Sequence, residues 1–251
     1  MVGRRADGRV SLAALFCLAL MAPAAADWPD TACQVKVPTL INPDAVSRTR
    51  HRLETRQPVV IVAFGSSSTQ GAGASAPPMT YPAQLEALLR ERAGAVVSVI
   101  NRGVGGETIV DMRRRLGRDV IALRPDLVIW QVGSNAVLRT MDPTQFAAML
   151  DQELARLTAS GIEVILMGLQ KAPRIDAKPG APAIAAILRD AATRNGVALM
   201  PRRSIMEAWS TSDEFPGEAI TSDGLHMNDL GYRCLALLLA QAIIWRSLPN
   251  L

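Results

Sequence analysis

Serine, histidine and aspartate side chains occur in two short segments that lie far apart in the chain. Gly65-Ser-Ser-Ser-Thr-Gln-Gly71 follows an apolar run, and Asp223 precedes His226 by three residues. A serine hydroxyl becomes a nucleophile when a histidine takes its proton and a carboxylate orients that histidine. The spacing allows Asp223 and His226 to lie on one side of a single turn. The sequence therefore predicts a serine nucleophile, and the residues alone leave Ser66, Ser67 and Ser68 as alternatives.

Two further segments could stabilise the oxyanion that attack by serine creates. Asn101-Arg-Gly-Val-Gly-Gly-Glu-Thr108 carries three glycines, and Gly133-Ser-Asn-Ala136 carries an amide side chain. Glycines let a backbone N–H approach a substrate closely, and an asparagine amide supplies a side-chain N–H. The other histidine, His51, precedes the regular part of the chain, so it is not the expected base.

Strands and helices alternate along the chain, which predicts βαβ units and a parallel sheet. Apolar β-branched runs predict five strands: Val59–Phe64, Val96–Ile100, Leu127–Gln131, Glu163–Met167 and Val197–Met200. Helical patterns separate them, at Tyr81–Arg92, from Thr108 to about Ala122, at 143–159 and at 182–194, and a last helix starts near Asn228. We expect one flavodoxin-like α/β/α domain of three layers over 58–251, with a mainly parallel five-stranded sheet. Residues 27–57 are expected to form an irregular arm. The four polar segments all follow strands or precede the last helix, so they should meet at the carboxyl edge of the sheet.

The first 26 residues have the layout of a secretory signal peptide. Basic residues Arg4, Arg5 and Arg9 precede an apolar run from Val10 to Met21, and small residues at Ala24 and Ala26 offer a cleavage site. The run is shorter than the ~20 apolar residues that cross a bilayer, although an uncleaved anchor is the alternative. We expect export to the periplasm or the extracellular space and no stable membrane insertion after cleavage.

Three cysteines are present, and Cys17 lies in the predicted leader. Cys33 and Cys234 then remain as a pair in an oxidising compartment, where disulfides form and persist. A bridge between them would tie the arm to the last helix. The alternative is two buried free thiols, because the sequence does not reveal whether the two residues are close together.

The four polar segments resemble the four sequence blocks of the SGNH hydrolases, the GDSL esterase and lipase family. The resemblance covers the chain from about Val59 to the end of the last helix and implies roles for particular residues. It makes Ser67 the nucleophile, Asp223 and His226 the rest of the triad, and Ser67, Gly106 and Asn135 the oxyanion hole. Two positions depart from the family pattern: Ser66 stands where the first block has Asp, and Ala136 stands where an Asp commonly follows the Asn.

The resemblance implies a carboxylic-ester hydrolase that cleaves small acetyl or short-chain acyl esters, free or on a polysaccharide, without a cofactor. An acyltransferase or a non-catalytic carbohydrate-binding module on the same fold is the alternative. The net charge is +4, and the sequence contains no basic block with interleaved aromatic residues, which argues against a nucleic-acid partner. Two histidines without a Cys/His cluster argue against a metal site, and Gly-x-Gly-Gly is an incomplete dinucleotide fingerprint. Lys171, Arg174 and Lys178 could favour an anionic substrate or simply form a solvated loop.

Overall fold

The structure is a computed structural model that describes residues 30–244. The predicted signal peptide, residues 1–26, lies outside the described residues, as do 27–29 and 245–251. Within 30–244, no helix combines the length and the hydrophobicity that a membrane span requires.

A parallel sheet of five strands forms the middle layer: β1 Val59–Gly65, β2 Val97–Gly103, β3 Leu127–Gln131, β4 Glu163–Met167 and β5 Ala198–Met200. Their order in the sheet is β2-β1-β3-β4-β5. Chain order reverses around β1, so the sheet has a switch point between β1 and β3, where ligands bind in open α/β sheets. The predicted fold class is confirmed. The strand β2 runs three residues beyond its predicted end because Gly103 still pairs with Gly65 in β1.

Helices cover both faces of the sheet. They are α1 Ser47–Glu54, α2 Ser67–Gln70, α3 Tyr81–Ala93, α4 Ile109–Asp119, α5 Ser134–Leu138, α6 Pro143–Ala159, α7 Pro173–Asp176, α8 Ala181–Arg194, α9 Arg202–Ser210 and α10 Asp229–Ile244. Alternate residues of a strand point to opposite faces. Ile61 and Ala63 of β1 accordingly pack in one core with α1, α3, α9 and α10, and Val62 and Phe64 pack in the other with α4, α6 and α8.

The arm is more regular than the sequence predicts. Short 3-10 helices at Asp30–Cys33 and Pro43–Val46 lead into α1, and Ile41 forms an antiparallel bridge with Leu199 of β5. Prolines led to the expectation of irregular structure over 27–57. Pro43 instead occupies the first turn of a helical segment, where its missing N–H costs nothing, and Leu53 is buried in the core. The expectation of an irregular arm is therefore wrong for its described part.

A disulfide joins Cys33 to Cys234 of α10, with the two Cα atoms 4.9 Å apart and 201 positions between them in the sequence. Both residues are buried, and the Cys33 carbonyl accepts a hydrogen bond from the Trp209 indole at 3.0 Å. The bridge fastens the arm to α10. The helix α9, which carries Trp209, was not predicted, because the charged Arg202 occupies a position of its buried face.

Candidate active site

Ser67 begins α2, one residue after the bend that ends β1. Of the three adjacent serines, Ser66 and Ser68 are buried, with 3% and 4% exposure, and Ser67 is half-buried. The Ser66 N–H and hydroxyl both donate to Oε1 of Gln131, each at 2.9 Å. The fold therefore turns the Ser66 side chain into the protein and leaves the Ser67 hydroxyl at the edge of the sheet.

His226 meets Ser67 across 159 positions of sequence, with 2.8 Å between Nε2 and the serine Oγ. The other ring nitrogen, Nδ1, lies 2.5 Å from Oδ2 of Asp223. Serine hydroxyl, imidazole and carboxylate thus form one continuous chain of hydrogen bonds. Serine hydrolases use this arrangement on unrelated folds.

Asp223 is held in a tight turn that precedes α10. Its Oδ1 accepts hydrogen bonds from the N–H groups of Leu225 and His226 at 2.8 and 2.9 Å, and from the Thr221 hydroxyl at 2.7 Å. The turn passes through Gly224 with a φ of +69°, a left-handed conformation that glycine adopts at little cost. These contacts hold the carboxylate in place independently of its hydrogen bond to the imidazole ring.

These contacts change the ionisation of Asp223. Desolvation by burial acts to raise the pKa of the carboxyl group. The hydrogen bonds from the His226 N–H and ring, the Thr221 hydroxyl and the Leu225 N–H outweigh it and lower the pKa well below its ordinary range. Asp223 is thus a permanent anion at neutral pH.

The glycine segment after β2 packs against the start of α2. A Cβ on Gly105 would lie 3.9 Å from the Cβ of Ser67, so this backbone passes directly beside the serine. Gly106 has a φ of +77°, and the Arg139 guanidinium donates to its carbonyl at 2.6 Å. Within residues 30–244 the N–H groups of Gly106 and Ser67 find no acceptor. Both are free to donate to a ligand.

Asn135, near the start of α5, joins the same group. One N–H of its amide donates to the Glu107 carbonyl at 2.8 Å, which fixes the side chain beside the glycine segment. The residues that the sequence singled out thus lie in loops and in the first turns of short helices at one edge of the sheet: Ser67, Gly106, Asn135, Asp223 and His226.

The sequence analysis did not identify Arg115, a buried residue of α4 that forms hydrogen bonds with several segments at this edge of the sheet. The guanidinium of Arg115 donates to both carboxylate oxygens of Glu107, and it donates to the carbonyls of Gly65 and Arg102 at 3.1 and 2.9 Å. It also stacks over the Phe64 ring, 4.3 Å from the centroid. The arginine thus joins the ends of β1 and β2 to the glycine segment. A spacing of eight between Glu107 and Arg115 is no standard helix pair, so the sequence carried no signal for it.

A second polar group is buried beneath the site. The fully buried Arg202 of α9 donates to the Gly168 carbonyl at 3.0 Å and to Oε1 of Gln170 at 2.5 Å. Burial lowers the pKa of Arg202 to about 10, and burial raises the pKa of Tyr81 to about 12. The Tyr81 hydroxyl lies 3.3 Å from the Thr69 hydroxyl in α2.

Two cavities adjoin the site. One of about 620 Å³ is lined by residues of α2, the following loop, α3 and β2, including Gln70, Gly71 and Asn101. The other, of about 780 Å³, adjoins the Asp223 turn and is lined by Ser222, Gly224 and Lys171, among others. Lys171, Arg174 and Lys178 form no ion pair with any residue of the described part of the chain.

Among the described residues no group of three or more His, Cys, Asp and Glu side chains could hold a metal ion.

The chain is thus an α/β/α protein in which a serine, hydrogen-bonded to a histidine, lies at the carboxyl edge of a parallel sheet. The model of the non-GDSL lipase-like family matches residues 32–247, so the chain belongs to that family. The family description agrees with Ser66 standing in place of the Asp of the GDSL pattern. No curated protein sequence matches the chain significantly.

Solved structures share the fold at low identity. An acetyl xylan esterase, AlAXEase, is 24% identical with a TM-score of 0.62, covering 72% of this chain and 98% of that one. Axe2, an acetylxylan esterase from Geobacillus stearothermophilus, is 21% identical with a TM-score of 0.62, covering 74% and 94%. A lipase/acylhydrolase from Enterococcus faecalis is 23% identical with a TM-score of 0.62, covering 77% and 99%. At this level of identity the likeness establishes the α/β/α fold.

Proposed function

We propose that the protein is an exported serine esterase of the SGNH type that hydrolyses small acyl esters. The single observation that carries this proposal is the hydrogen-bonded chain from the Ser67 hydroxyl through His226 to Asp223. Membership of a lipase-like family supports it.

The charge on Asp223 determines which ring nitrogen of His226 carries the proton at the start of the proposed reaction. An ionised carboxylate only accepts hydrogen bonds, so Nδ1 of His226 carries a proton and donates a hydrogen bond to Asp223. In the neutral imidazole, Nε2 is then unprotonated and accepts from the Ser67 hydroxyl, whose Oγ lies at 2.8 Å. This is the tautomer that a general base for serine needs.

The reaction proceeds in two halves. Oγ of Ser67 bonds to the ester carbonyl carbon as its proton passes to Nε2 of His226, and the carbonyl oxygen becomes an oxyanion. The carbon–alkoxy bond then breaks, and the alcohol leaves with the proton from Nε2. Water next attacks the acyl-enzyme, gives a proton to Nε2, and displaces Ser67, which recovers that proton as the carboxylic acid departs.

Three donors are proposed to stabilise the oxyanion: the N–H groups of Ser67 and Gly106 and the second N–H of the Asn135 amide. The free backbone N–H groups and the fixed orientation of Asn135 support this assignment. Donors that are oriented before the reaction cost no reorganisation when the charge develops.

Acetyl or short-chain esters, free or on a polysaccharide, are the proposed substrates. The structural neighbours described as acetyl xylan esterases support an acetylated polysaccharide among them. The reaction needs no cofactor.

Export is proposed from the leader sequence, and the Cys33–Cys234 disulfide supports it because such bonds persist in oxidising compartments. Expression of the full chain in a bacterium, followed by fractionation and mass spectrometry, tests the proposal. We expect a periplasmic or extracellular protein that begins at Asp27. Full-length protein retained in the cytoplasm or the membrane would overturn it.

Labelling with a fluorophosphonate probe tests the catalytic proposal, with p-nitrophenyl acetate turnover measured in parallel. We expect labelling and turnover in the wild type. The control variant Ser68→Ala, which removes the hydroxyl of the next residue, should behave in the same way. Labelling and turnover should both vanish in Ser67→Ala and His226→Ala. A folded wild type without labelling or turnover would indicate a binding module. Transfer of acyl groups to an added alcohol in preference to water would indicate an acyltransferase.

A further inference from the structure

Gln170 lies behind the candidate site, three residues beyond the end of β4. Its side-chain amide is buried, with 2% of the residue exposed. Oε1 accepts hydrogen bonds from the Ser134 hydroxyl at 2.7 Å and from the Arg202 guanidinium at 2.5 Å. Nε2 donates to the Leu225 carbonyl at 3.5 Å. One amide therefore contacts three separate segments of the chain.

Two of these segments carry residues of the proposed triad and oxyanion hole. Ser134 directly precedes Asn135, and Leu225 directly precedes His226. The two partners of Gln170 lie 36 and 55 positions away in sequence, so local structure does not hold them together. The Gln170 amide therefore connects the segment of the proposed oxyanion donor to the turn of the proposed base through hydrogen bonds.

Arg202 sets the direction of the amide. The arginine is fully buried, has no carboxylate partner among the described residues, and also donates to the Gly168 carbonyl at 3.0 Å. It has only donors to offer, so the atom of Gln170 that faces it must be the oxygen. The nitrogen must then face the Leu225 carbonyl. A side chain that accepts on one end and donates on the other satisfies both neighbours.

We propose that Gln170 is a positioning residue for the reaction, one that holds the Asn135 segment and the His226 turn in register. This inference rests on the proposed function, because it assigns Gln170 a role in that same site. Gln170 acts through its neighbours and does not contact the substrate. A displacement of either segment by about 1 Å would cost up to about 100-fold in rate.

The two connections of Gln170 can be broken separately. In Gln170→Glu the carboxylate still accepts from Ser134 and Arg202, and it loses the donor to the Leu225 carbonyl. In Ser134→Ala the connection to Leu225 stays and the connection to the Asn135 segment is lost, whereas Ser134→Thr keeps a hydroxyl. Gln84→Glu is the matched control, because the buried Gln84 of α3 also donates to a backbone carbonyl, that of Met79 at 2.7 Å.

The measurement is kcat per titrated site, with active sites counted by intact-mass detection of the fluorophosphonate adduct after complete reaction. We expect kcat per site to fall about tenfold or more in Gln170→Glu and in Ser134→Ala, with KM nearly unchanged. Ser134→Thr should recover much of the loss, and Gln84→Glu should match the wild type.

A merely structural role predicts a different result: fewer titratable sites or a lower Tm, with kcat per remaining site unchanged. That result, or per-site values within twofold of the wild type in both variants, would overturn the positioning role. A wild type that neither reacts with the probe nor turns over ester would instead overturn the proposed function. The two failures are therefore distinguishable.

Discussion

The amide of Asn135 has two N–H bonds, and the contacts within the protein occupy one of them. The bond to the Glu107 carbonyl at 2.8 Å fixes the plane of the amide, which leaves the second N–H in a defined direction. A donor of this kind strengthens its interaction as negative charge develops on the substrate oxygen. Its contribution should therefore appear in kcat more than in KM.

We expect Asn135→Ala to lower kcat by about 10²–10³-fold, the usual cost of an oxyanion donor. Steady-state turnover of p-nitrophenyl acetate measures the loss. Asn195→Ala is the matched control, because its amide also donates through Nδ2, to Asp151 at 2.8 Å, on a helix end away from the site. A loss smaller than tenfold in Asn135→Ala would remove this residue from the oxyanion hole.

The lowered pKa of Asp223 has a consequence for acid pH. The hydrogen bonds from the His226 N–H, the Thr221 hydroxyl and the Leu225 N–H stabilise the charged form. A carboxyl whose pKa is lower in the folded protein contributes stability above its unfolded pKa, near 3.9, and loses it only as the pH falls through the folded value. We expect Asp223 to stay ionised through the pH range in which ordinary aspartates become protonated.

Carbon-13 NMR of the carboxyl groups tests this expectation. The Asp223 resonance, identified by its absence from Asp223→Asn, should keep the chemical shift of an ionised carboxylate from pH 7 down to about pH 3. A change to the chemical shift of a protonated carboxyl group within that interval would show that the turn does not stabilise the anion.

At the scale of elements, the short helix α2 packs against the end of β2. A Cβ on Gly103 would lie 2.1 Å from the Gln70 N and 2.5 Å from the Thr69 carbonyl carbon, both of them backbone atoms. The backbone of α2 would have to move to accept it. Because Ser67 begins α2, such a shift changes the distance from its hydroxyl to His226.

We expect Gly103→Ala to destabilise the protein by about 1–3 kcal/mol, as overpacking does, and to lower kcat as well. Urea denaturation and ester turnover measure the two effects. Gly180→Ala is the matched control, because a Cβ there meets nothing within 4 Å. Equal stability and activity of the two variants would contradict the close packing of α2 on β2.

For the molecule as a whole, the disulfide closes a loop of 201 positions between the arm and α10. Cross-links that close long loops reduce the conformational freedom of the unfolded chain, and native disulfides typically contribute about 2–5 kcal/mol. Cys33 and Cys234 lie in the core on the α10 face, and neither belongs to the hydrogen-bonded chain from Ser67 through His226 to Asp223.

We expect the double variant Cys33→Ser, Cys234→Ser to unfold at a lower urea concentration, with a free energy of unfolding that is lower by about 2–5 kcal/mol. The folded variant should keep the kcat of the wild type. Reduction of the wild type should shift its midpoint toward that of the variant. Equal midpoints for oxidised wild type and double variant would contradict a stabilising bridge.

The sequence predicted most of the fold because its signals are local. Unbroken apolar runs such as Val59–Phe64 are typical of strands that are covered on both faces, and the structure confirms the five strands within about three residues at each end. It did not predict α1 and α9, whose segments carry arginines at positions that the tertiary structure buries, Arg50 and Arg202. Burial of these cations depends on carbonyl and amide partners that are distant in sequence.

By itself the sequence determined which residue types could form a nucleophile, a base and an orienting acid, and it placed them after strands of a parallel sheet. It left three serines open at 66–68. In the tertiary structure, Gln131 of the neighbouring strand binds the Ser66 side chain, and of the three hydroxyls that of Ser67 lies within hydrogen-bond distance of His226. Only the fold could also reveal Gln170 and Arg115 beneath the site, since hydrogen bonds between residues far apart in the chain leave no spacing that a sequence pattern can show.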